Sequence, residues 1–138
     1  MRICFSFFII TLLVGTSCRD RGEDQVPYVP VNIAININQP DFFDLTVPTG
    51  WVYVTGGSRG IIVYRNSNEE FTALERHSTY NVSDECAVAV DDDGVLITDL
   101  CSSSKWLIHD GSLVQGPASL PLIQYETNFQ DPYLYITN

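Results

Sequence analysis

The chain has 138 residues, of which 45% are apolar, 12% aromatic and 17% charged, so one small globular domain is the most that it can form. Seven Lys and Arg against seventeen Asp and Glu give a formal net charge of −10. This balance argues against nucleic-acid binding, because contacts to phosphate groups come mainly from Lys and Arg. The apolar and aromatic content also excludes a disordered acidic tail.

Residues 1–17 have the organisation of an export signal. A basic start at Arg2 is followed by an apolar run over 3–14, which is shorter than the roughly 20 residues that cross a bilayer. The small residues before Cys18 resemble the end of a bacterial lipoprotein signal, in which this cysteine becomes the lipidated first residue. Gly15 stands where Leu is usual, and Bacteroidota-type lipoproteins are similarly relaxed. A plain secreted protein that is cut nearby is the alternative.

We therefore expect a protein of the bacterial cell envelope that is anchored through a lipid on Cys18. It would sit on the outer membrane and face either the periplasm or the cell surface. Residues 18–30 are polar and contain prolines, so they predict a linker that carries the domain at 31–138 away from the membrane.

Two cysteines remain free once the signal is removed and Cys18 is lipidated. Cys4 leaves with the signal, so only Cys86 and Cys101 keep a thiol. Exported compartments are oxidising, and two cysteines in such a place tend to form a disulfide. Two buried, unpaired thiols are the alternative.

From Val31 onward, apolar and polar residues alternate with a period of two, which is typical of half-buried strands. Gly-containing turns separate further short runs, and no window of ten residues shows helical spacing. We predict strands over 31–38, 51–55, 61–65, 71–75, 86–90, 95–98, 106–108, 122–126 and 133–136. About nine short strands predict an all-β domain, either a small antiparallel sandwich or a barrel.

The chain lacks the common motifs of nucleotide binding and of catalysis. His77 and His109 are its only histidines, too few for a His-rich metal site. The three aspartates at 91–93 lack the alternating ligands of a calcium loop, so we interpret them as a solvated hairpin turn. The serines at 102–104 have no His and carboxylate at a recognisable spacing. We predict no catalytic residue and expect no enzyme.

Two polar loops in the second half of the chain follow a recognisable order of motifs. Residues 71–80 read FTALERHSTY, and residues 98–117 read TDLCSSSKWLIHDGSLVQGP. This layout resembles the Rieske domain family, in which a Cys-x-His loop and a Cys-x-Cys-His-Gly-Ser loop hold a [2Fe–2S] cluster. The Asp-Gly turn at 110–111 and the Gly-Pro pair at 116–117 also match the family. The resemblance covers roughly residues 51–137 and implies a Rieske-like fold.

In this resemblance the four cluster ligands of the family fall on Ser78, Tyr80, Asp99 and Ser102. A Rieske centre needs two thiolates on one iron and two imidazoles on the other. None of the four positions carries such a side chain, and a one-residue shift to His77 would supply a single imidazole. We therefore expect neither a [2Fe–2S] cluster nor another metal. A [2Fe–2S] cluster with unorthodox ligands, acting in one-electron transfer, is the alternative.

The family resemblance also bears on the two remaining thiols. Cys101 matches the middle cysteine of the second loop, which is not a ligand but forms a disulfide in many members. The resemblance implies Cys86 as its partner. The loops would then keep their cross-link without the cofactor.

Three functions remain open. The first is a cluster-free, Rieske-like binding or structural module at the cell envelope, and the second is the one-electron carrier. The third is a subunit of a larger surface complex, with an envelope protein as its unknown partner. In that case the contact face would be aromatic: Trp51, Tyr53, Trp106 and Tyr133.

Overall fold

The computed structural model describes residues 25–138 and folds them into two antiparallel β-sheets. The predicted export signal, the predicted lipidation site Cys18 and the first half of the predicted linker lie outside the described residues. The strands are β1 (Asn32–Asn36), β2 (Trp51–Val54), β3 (Ile61–Arg65), β4 (Phe71–Glu75), β5 (Ala89–Val90), β6 (Leu96–Thr98), β7 (Lys105–Leu107), β8 (Leu113–Gln115), β9 (Gln124–Gln130) and β10 (Tyr133–Thr137). Two short 3₁₀ helices span Pro40–Thr46 and Val82–Asp84.

The larger sheet has six strands in the order β1-β10-β9-β4-β3-β2. The two ends of the domain therefore lie side by side, with Asn32 opposite Thr137 in an antiparallel ladder. One face of this sheet buries the larger apolar cluster, which includes Leu45, Ile61 and Leu134. The side chain of Asn138 accepts the Val31 N–H at 2.9 Å and so holds the start of the domain against its end.

The smaller sheet has four strands in the order β5-β6-β7-β8 and covers the other side of β3 and β4. Its centre is Trp106, which is fully buried and packs with Ile97 from the small sheet and Leu74 from β4. β4 is consequently buried on both faces: Phe71 belongs to the larger cluster and Leu74 to the smaller one. A strand between two layers keeps few polar positions, and each of them needs a hydrogen-bond partner.

The expectation of an all-β domain is confirmed, since residues 25–138 contain no α-helix. No helix in that range is long and apolar enough to span a membrane. Several details of the prediction are wrong. The first strand is Asn32–Asn36 and not 31–38, and β9 begins at Gln124 and not at residue 122. β8 was missed because its residues are mostly exposed and lie at the edge of the smaller sheet. β9 continues to Gln130 because its polar end pairs with β10. The strand predicted over 86–90 is reduced to Ala89–Val90 because the disulfide-bonded segment before it is irregular.

One of the four aromatic residues that the sequence suggested as a contact face, Trp106, cannot be part of such a face. Trp106 has no exposed surface, and its indole N–H donates to the carbonyl oxygen of Leu120 at 2.9 Å. A buried indole with a satisfied N–H is a core residue. Tyr53 and Tyr133 are 41% and 47% exposed, but they lie on β2 and β10, which three strands separate in the sheet.

Candidate functional site

The two loops that the sequence singles out, at 76–86 and 99–104, contact each other, and we call this contact the junction. The disulfide expected between Cys86 and Cys101 is present, with the two Cα atoms 6.4 Å apart. The N–H of Ser78 donates to the carbonyl oxygen of Cys86 at 2.9 Å. The first loop therefore folds back on itself before it is cross-linked to the second.

Asp99 is the centre of this junction. It is 1% exposed, and its Oδ2 accepts hydrogen bonds from the hydroxyl of Ser78 at 2.8 Å and from that of Ser102 at 2.7 Å. Its Oδ1 accepts the N–H of Cys101 at 2.9 Å. A buried carboxylate is tolerated when its oxygens are hydrogen-bonded. Three of the four positions that match the family's ligands thus bind one another.

The fourth position, Tyr80, contributes differently. Its backbone N–H donates to the Ser78 hydroxyl at 3.2 Å, while its half-buried ring packs against the smaller apolar cluster. The ring of Tyr80 therefore packs beside the junction, while its backbone N–H is part of the polar network.

The serine triplet of the second loop has a structural role. The fully buried Ser104 accepts the N–H of Ala118 at 2.9 Å, and its Oγ lies 2.9 Å from that of Ser102. Ser103 has a left-handed backbone with φ of 65°, which turns the loop back toward β7. The hydrogen bonds of Ser102 and Ser104 therefore hold the shape of the loop.

His77 is buried next to Ser78, and both of its ring nitrogens have partners. Nε2 lies 2.9 Å from the carbonyl oxygen of Val82, and Nδ1 lies 2.8 Å from the hydroxyl of Ser58. Because a carbonyl oxygen can only accept, Nε2 carries a proton. In the neutral imidazole Nδ1 then accepts from Ser58, so neither nitrogen points to the junction as a free ligand.

The donor set at the junction does not fit a [2Fe–2S] cluster. Ligand atoms of Cys86, Asp99 and Cys101 all lie within 4.8 Å of one another, which is the only such group among residues 25–138. The two sulfurs are bonded to each other, and the carboxylate is occupied by hydrogen bonds. What remains is hydroxyl oxygen, whereas the cluster requires thiolates and imidazoles.

A second buried carboxylate, which the sequence analysis missed, lies at the end of β4, directly before the first loop. Glu75 is 1% exposed, and its Oε1 accepts the N–H groups of Arg59 at 2.9 Å and His77 at 2.8 Å. Its Oε2 accepts the N–H of Ser58 at 2.7 Å and the hydroxyl of Tyr125 at 2.6 Å. One carboxylate thereby joins the β2–β3 turn, the first loop and β9.

The sequence did contain a signal for this carboxylate. Side chains of a strand alternate between its two faces, so residue 75 shares a face with Phe71 and Ala73, both of which are buried. A charged residue at an inward position needs several donors. Gly57 provides the room, because a Cβ there would lie 2.3 Å from Glu75 Oε2.

The remaining candidates from the sequence lie away from the junction. Asp93 is in the turn between β5 and β6, and its carboxylate accepts the N–H groups of Val95 at 2.9 Å and Leu96 at 3.3 Å. These hydrogen bonds, that of Val95 first, lower the pKa of Asp93. His109 is exposed and forms an ion pair with Asp110 when its imidazole is protonated. The acidic triplet is therefore a hairpin turn, as interpreted.

Tyr125 is expected to make the domain less stable at high pH. Burial raises the pKa of Tyr125 well above its ordinary value, and the hydrogen bond to Glu75 adds to this effect. Its contribution to stability is complete below the unfolded pKa of about 10 and is lost as the pH rises toward the folded pKa. We expect the urea midpoint to fall more steeply above pH 10 in the native protein than in Tyr125→Phe. Parallel midpoint curves from pH 8 to 11 would contradict this assignment.

The chain matches no protein-family model and no curated protein sequence. Among solved structures, the ferredoxin of carbazole 1,9a-dioxygenase from Nocardioides aromaticivorans IC177 is similar, with a TM-score of 0.53 and 12% identity over 80% of this chain and 98% of that one. The domain has a Rieske-like fold. The E. coli protein NirD reaches a TM-score of 0.46 at 13% identity over 78% of this chain and 98% of its own. A protein assigned as the NADH-dependent nitrite reductase small subunit of Mycobacterium tuberculosis reaches 0.46 at 16% identity, over 80% of this chain and 97% of its own.

The likeness extends to the fold and, at 12% identity, no further. In this Rieske-like fold, the two loops that the order of motifs singled out contact each other. The side chains at that point are those of Ser78, Asp99 and Ser102.

Proposed function

We propose that this chain is a lipoprotein of the cell envelope whose Rieske-like domain lacks a [2Fe–2S] cluster and serves as a binding or structural module. The observation that carries the proposal is the pair of hydrogen bonds from Ser78 and Ser102 to one oxygen of Asp99. Three residues that match cluster ligands in the family resemblance satisfy one another instead of pointing at a shared metal position.

The polar network can take over the mechanical role of a cluster. In a Rieske domain the metal centre ties the two loops together. Here the first loop is tied to the second by the Ser78–Asp99 hydrogen bond and by the Cys86–Cys101 disulfide. Hydrogen bonds to an ionised carboxylate are about twice as strong as those between neutral groups. A junction of this kind stays closed without iron, which suits a module that binds or supports rather than one that transfers electrons.

Iron content is the test of this proposal. We expect protein purified anaerobically to be colourless and to contain far less than one iron per chain, because the junction offers neither free thiolates nor free imidazoles. Elemental analysis together with the visible absorption spectrum measures both properties. About two irons and two sulfides per chain, as a [2Fe–2S] centre contains, would overturn the proposal.

A one-electron carrier is the second candidate function, and the likeness of the fold to a ferredoxin favours it. It would require ligands other than two cysteines and two histidines, and the junction supplies hydroxyl oxygens and one carboxylate. The iron measurement separates the two functions, since only the carrier needs the metal.

Membrane attachment through Cys18 is tested separately. We expect the native protein to sediment with membranes and its intact mass to include acyl chains, since a stable anchor requires buried hydrocarbon. The variant Cys18→Ala should lose the acyl mass and move to the soluble fraction. An equal amount of Cys18→Ala in the membrane fraction would refute lipid anchoring, and the proposed envelope location would need another basis.

A further inference from the structure

The turn between β2 and β3 borders a pocket that the loop junction does not use. The pocket has a volume of about 410 Å³. One side is the Gly-rich turn at 55–60, with the sequence Thr-Gly-Gly-Ser-Arg-Gly, and the other side is formed by Tyr53 and Arg76. The pocket therefore combines a turn with little side-chain bulk and two arginines, Arg59 and Arg76.

These two arginines are half of the basic side chains among the described residues. Residues 25–138 contain four basic side chains, in a chain whose net charge is −10. Arg65 is buried and donates to three backbone carbonyl oxygens, while Lys105 pairs with Asp91 at 3.1 Å. The other two both line this pocket.

Arg76 is held in place with part of its guanidinium free. Its Nε donates to the carbonyl oxygen of Val88 at 3.0 Å, and its guanidinium carbon lies 4.0 Å from the ring centroid of Tyr53. Among residues 25–138, no carboxylate lies within ion-pair distance of this side chain and its two terminal nitrogens have no hydrogen-bond acceptor. A guanidinium that is fixed by stacking presents a planar fork of donors.

The backbone of Arg59 is fixed by a hydrogen bond, whereas its guanidinium can exchange its present partner for a ligand. Its N–H donates to the buried Glu75, whereas its guanidinium forms an ion pair with Glu85, whose side chain is 68% exposed. Exposed ion pairs of this kind contribute little to stability. An anion that enters the pocket can therefore compete with Glu85 for this guanidinium.

The glycines of the turn let it pack closely against its own neighbours in the fold. Gly57 has a left-handed φ of 62°, and a Cβ there would strike both Glu75 and the hydroxyl of Tyr125. Gly60 has a φ of 102° and lies under the side chain of Arg76. The carboxylate of Glu75 also lies against the turn, and its two oxygens already accept four hydrogen bonds.

We propose that this pocket binds an oxyanion, the phosphate or carboxylate group of a small ligand, through the fork of Arg76 with Arg59 as a second donor. Both groups match the planar geometry of a guanidinium, which can bind them with two parallel hydrogen bonds. The site depends on the β2–β3 turn and the start of the first loop. It is therefore independent of whether the junction carries a cluster.

A titration followed by NMR tests the site on the full chain, labelled with ¹⁵N and kept in mild detergent. Sodium phosphate and sodium acetate are the probes, each compared with sodium chloride at equal ionic strength. We expect saturable shifts of the amide signals of Gly56, Gly57 and Gly60. Arg76→Gln should weaken binding about tenfold or more, since it removes a charge-assisted, two-pronged contact. Lys105→Gln, which removes one positive charge elsewhere, should leave the affinity unchanged.

The arms of the titration also identify the anion. Saturation by phosphate alone supports a site for phosphoryl groups, and saturation by both probes supports one that accepts carboxylates as well. If Arg76→Gln does not fold, Arg76→Lys keeps the charge without the fork and should weaken binding several-fold. Shifts that do not saturate with either probe would overturn the proposal. Equal affinities in the native protein and the Arg76 variant, or an equal loss in Lys105→Gln, would do so too.

Discussion

Replacement of Cys86 by serine is expected to lower the melting temperature by roughly 10 °C. The disulfide to Cys101 closes a loop with a sequence separation of 15, and the loop-entropy model assigns about 3 kcal/mol to a loop of that length. For a domain of this size, each kcal/mol corresponds to about 3–6 °C. The free energy at stake is a large share of the stability of a small domain.

Apart from the hydrogen bonds of Ser78 and Ser102 to Asp99, the loops at the junction have little to replace the cross-link. Glu85, Cys101 and Ser103 are not buried, so packing contributes little around the sulfurs. Thermal unfolding followed by circular dichroism measures the change, and thiol titration should find no free thiol in the oxidised protein. Cys101→Ser should equal Cys86→Ser, and the double variant should be no worse than either one. Reduction of the native protein should lower its melting temperature similarly and leave that of Cys86→Ser unchanged.

Titratable thiols at Cys86 and Cys101 in the native, oxidised protein would contradict the disulfide. An unchanged melting temperature of Cys86→Ser would show that the polar network alone holds the loops. Asp99→Asn distinguishes these contributions, because it weakens the hydrogen bonds of Ser78 and Ser102 while it leaves both cysteines in place.

The second large effect is expected at Glu75. Glu75→Gln replaces one carboxylate oxygen by an NH₂ group, which then faces either the Ser58 N–H and Tyr125 hydroxyl or the Arg59 and His77 N–H groups. Donors that lose a buried acceptor cost about 1–3 kcal/mol each. We expect the free energy of unfolding to fall by roughly 3 kcal/mol, measured by urea denaturation.

Glu126→Gln is the matched control for this substitution. Glu126 lies next to Tyr125 on β9 and is exposed, so the same chemical change there should stay within about 0.5 kcal/mol of the native protein. Tyr125→Phe should have an intermediate effect, since it removes one donor of four and leaves a neutral ring in the core. If Glu75→Gln were as stable as Glu126→Gln, the carboxylate would not be the anchor that its four hydrogen bonds indicate.

The extent of the strands shows where periodicity is informative and where it fails. β3 and β4 were predicted with their observed limits because both are continuous runs bounded by turn residues. The end of β9 was missed because Asn128 and Gln130 are polar and exposed, and they extend the sheet only through pairing with β10. Strand pairing uses backbone groups, so an exposed polar segment can pair with its neighbour without showing apolar alternation.

For the candidate site, too, the sequence predicted some features and not others. The order of motifs and the cysteines pointed to the two loops and to the residues Ser78, Asp99 and Ser102, because loop motifs are local in sequence. The pattern could not show that one carboxylate binds both hydroxyls, since residues 78 and 99 are 21 positions apart and only the fold sets their distance.

The sequence by itself determined that this chain forms an all-β domain with two special loops, because alternation, turn residues and motif order are properties of neighbouring residues. Only the tertiary structure decided that Glu75 is the anchor of the β2–β3 turn and that Arg59 and Arg76 share a pocket. Burial and charge pairing depend on which strands pack together. Because β4 is buried on both faces, the carboxylate of Glu75 is buried too and accepts hydrogen bonds from four donors.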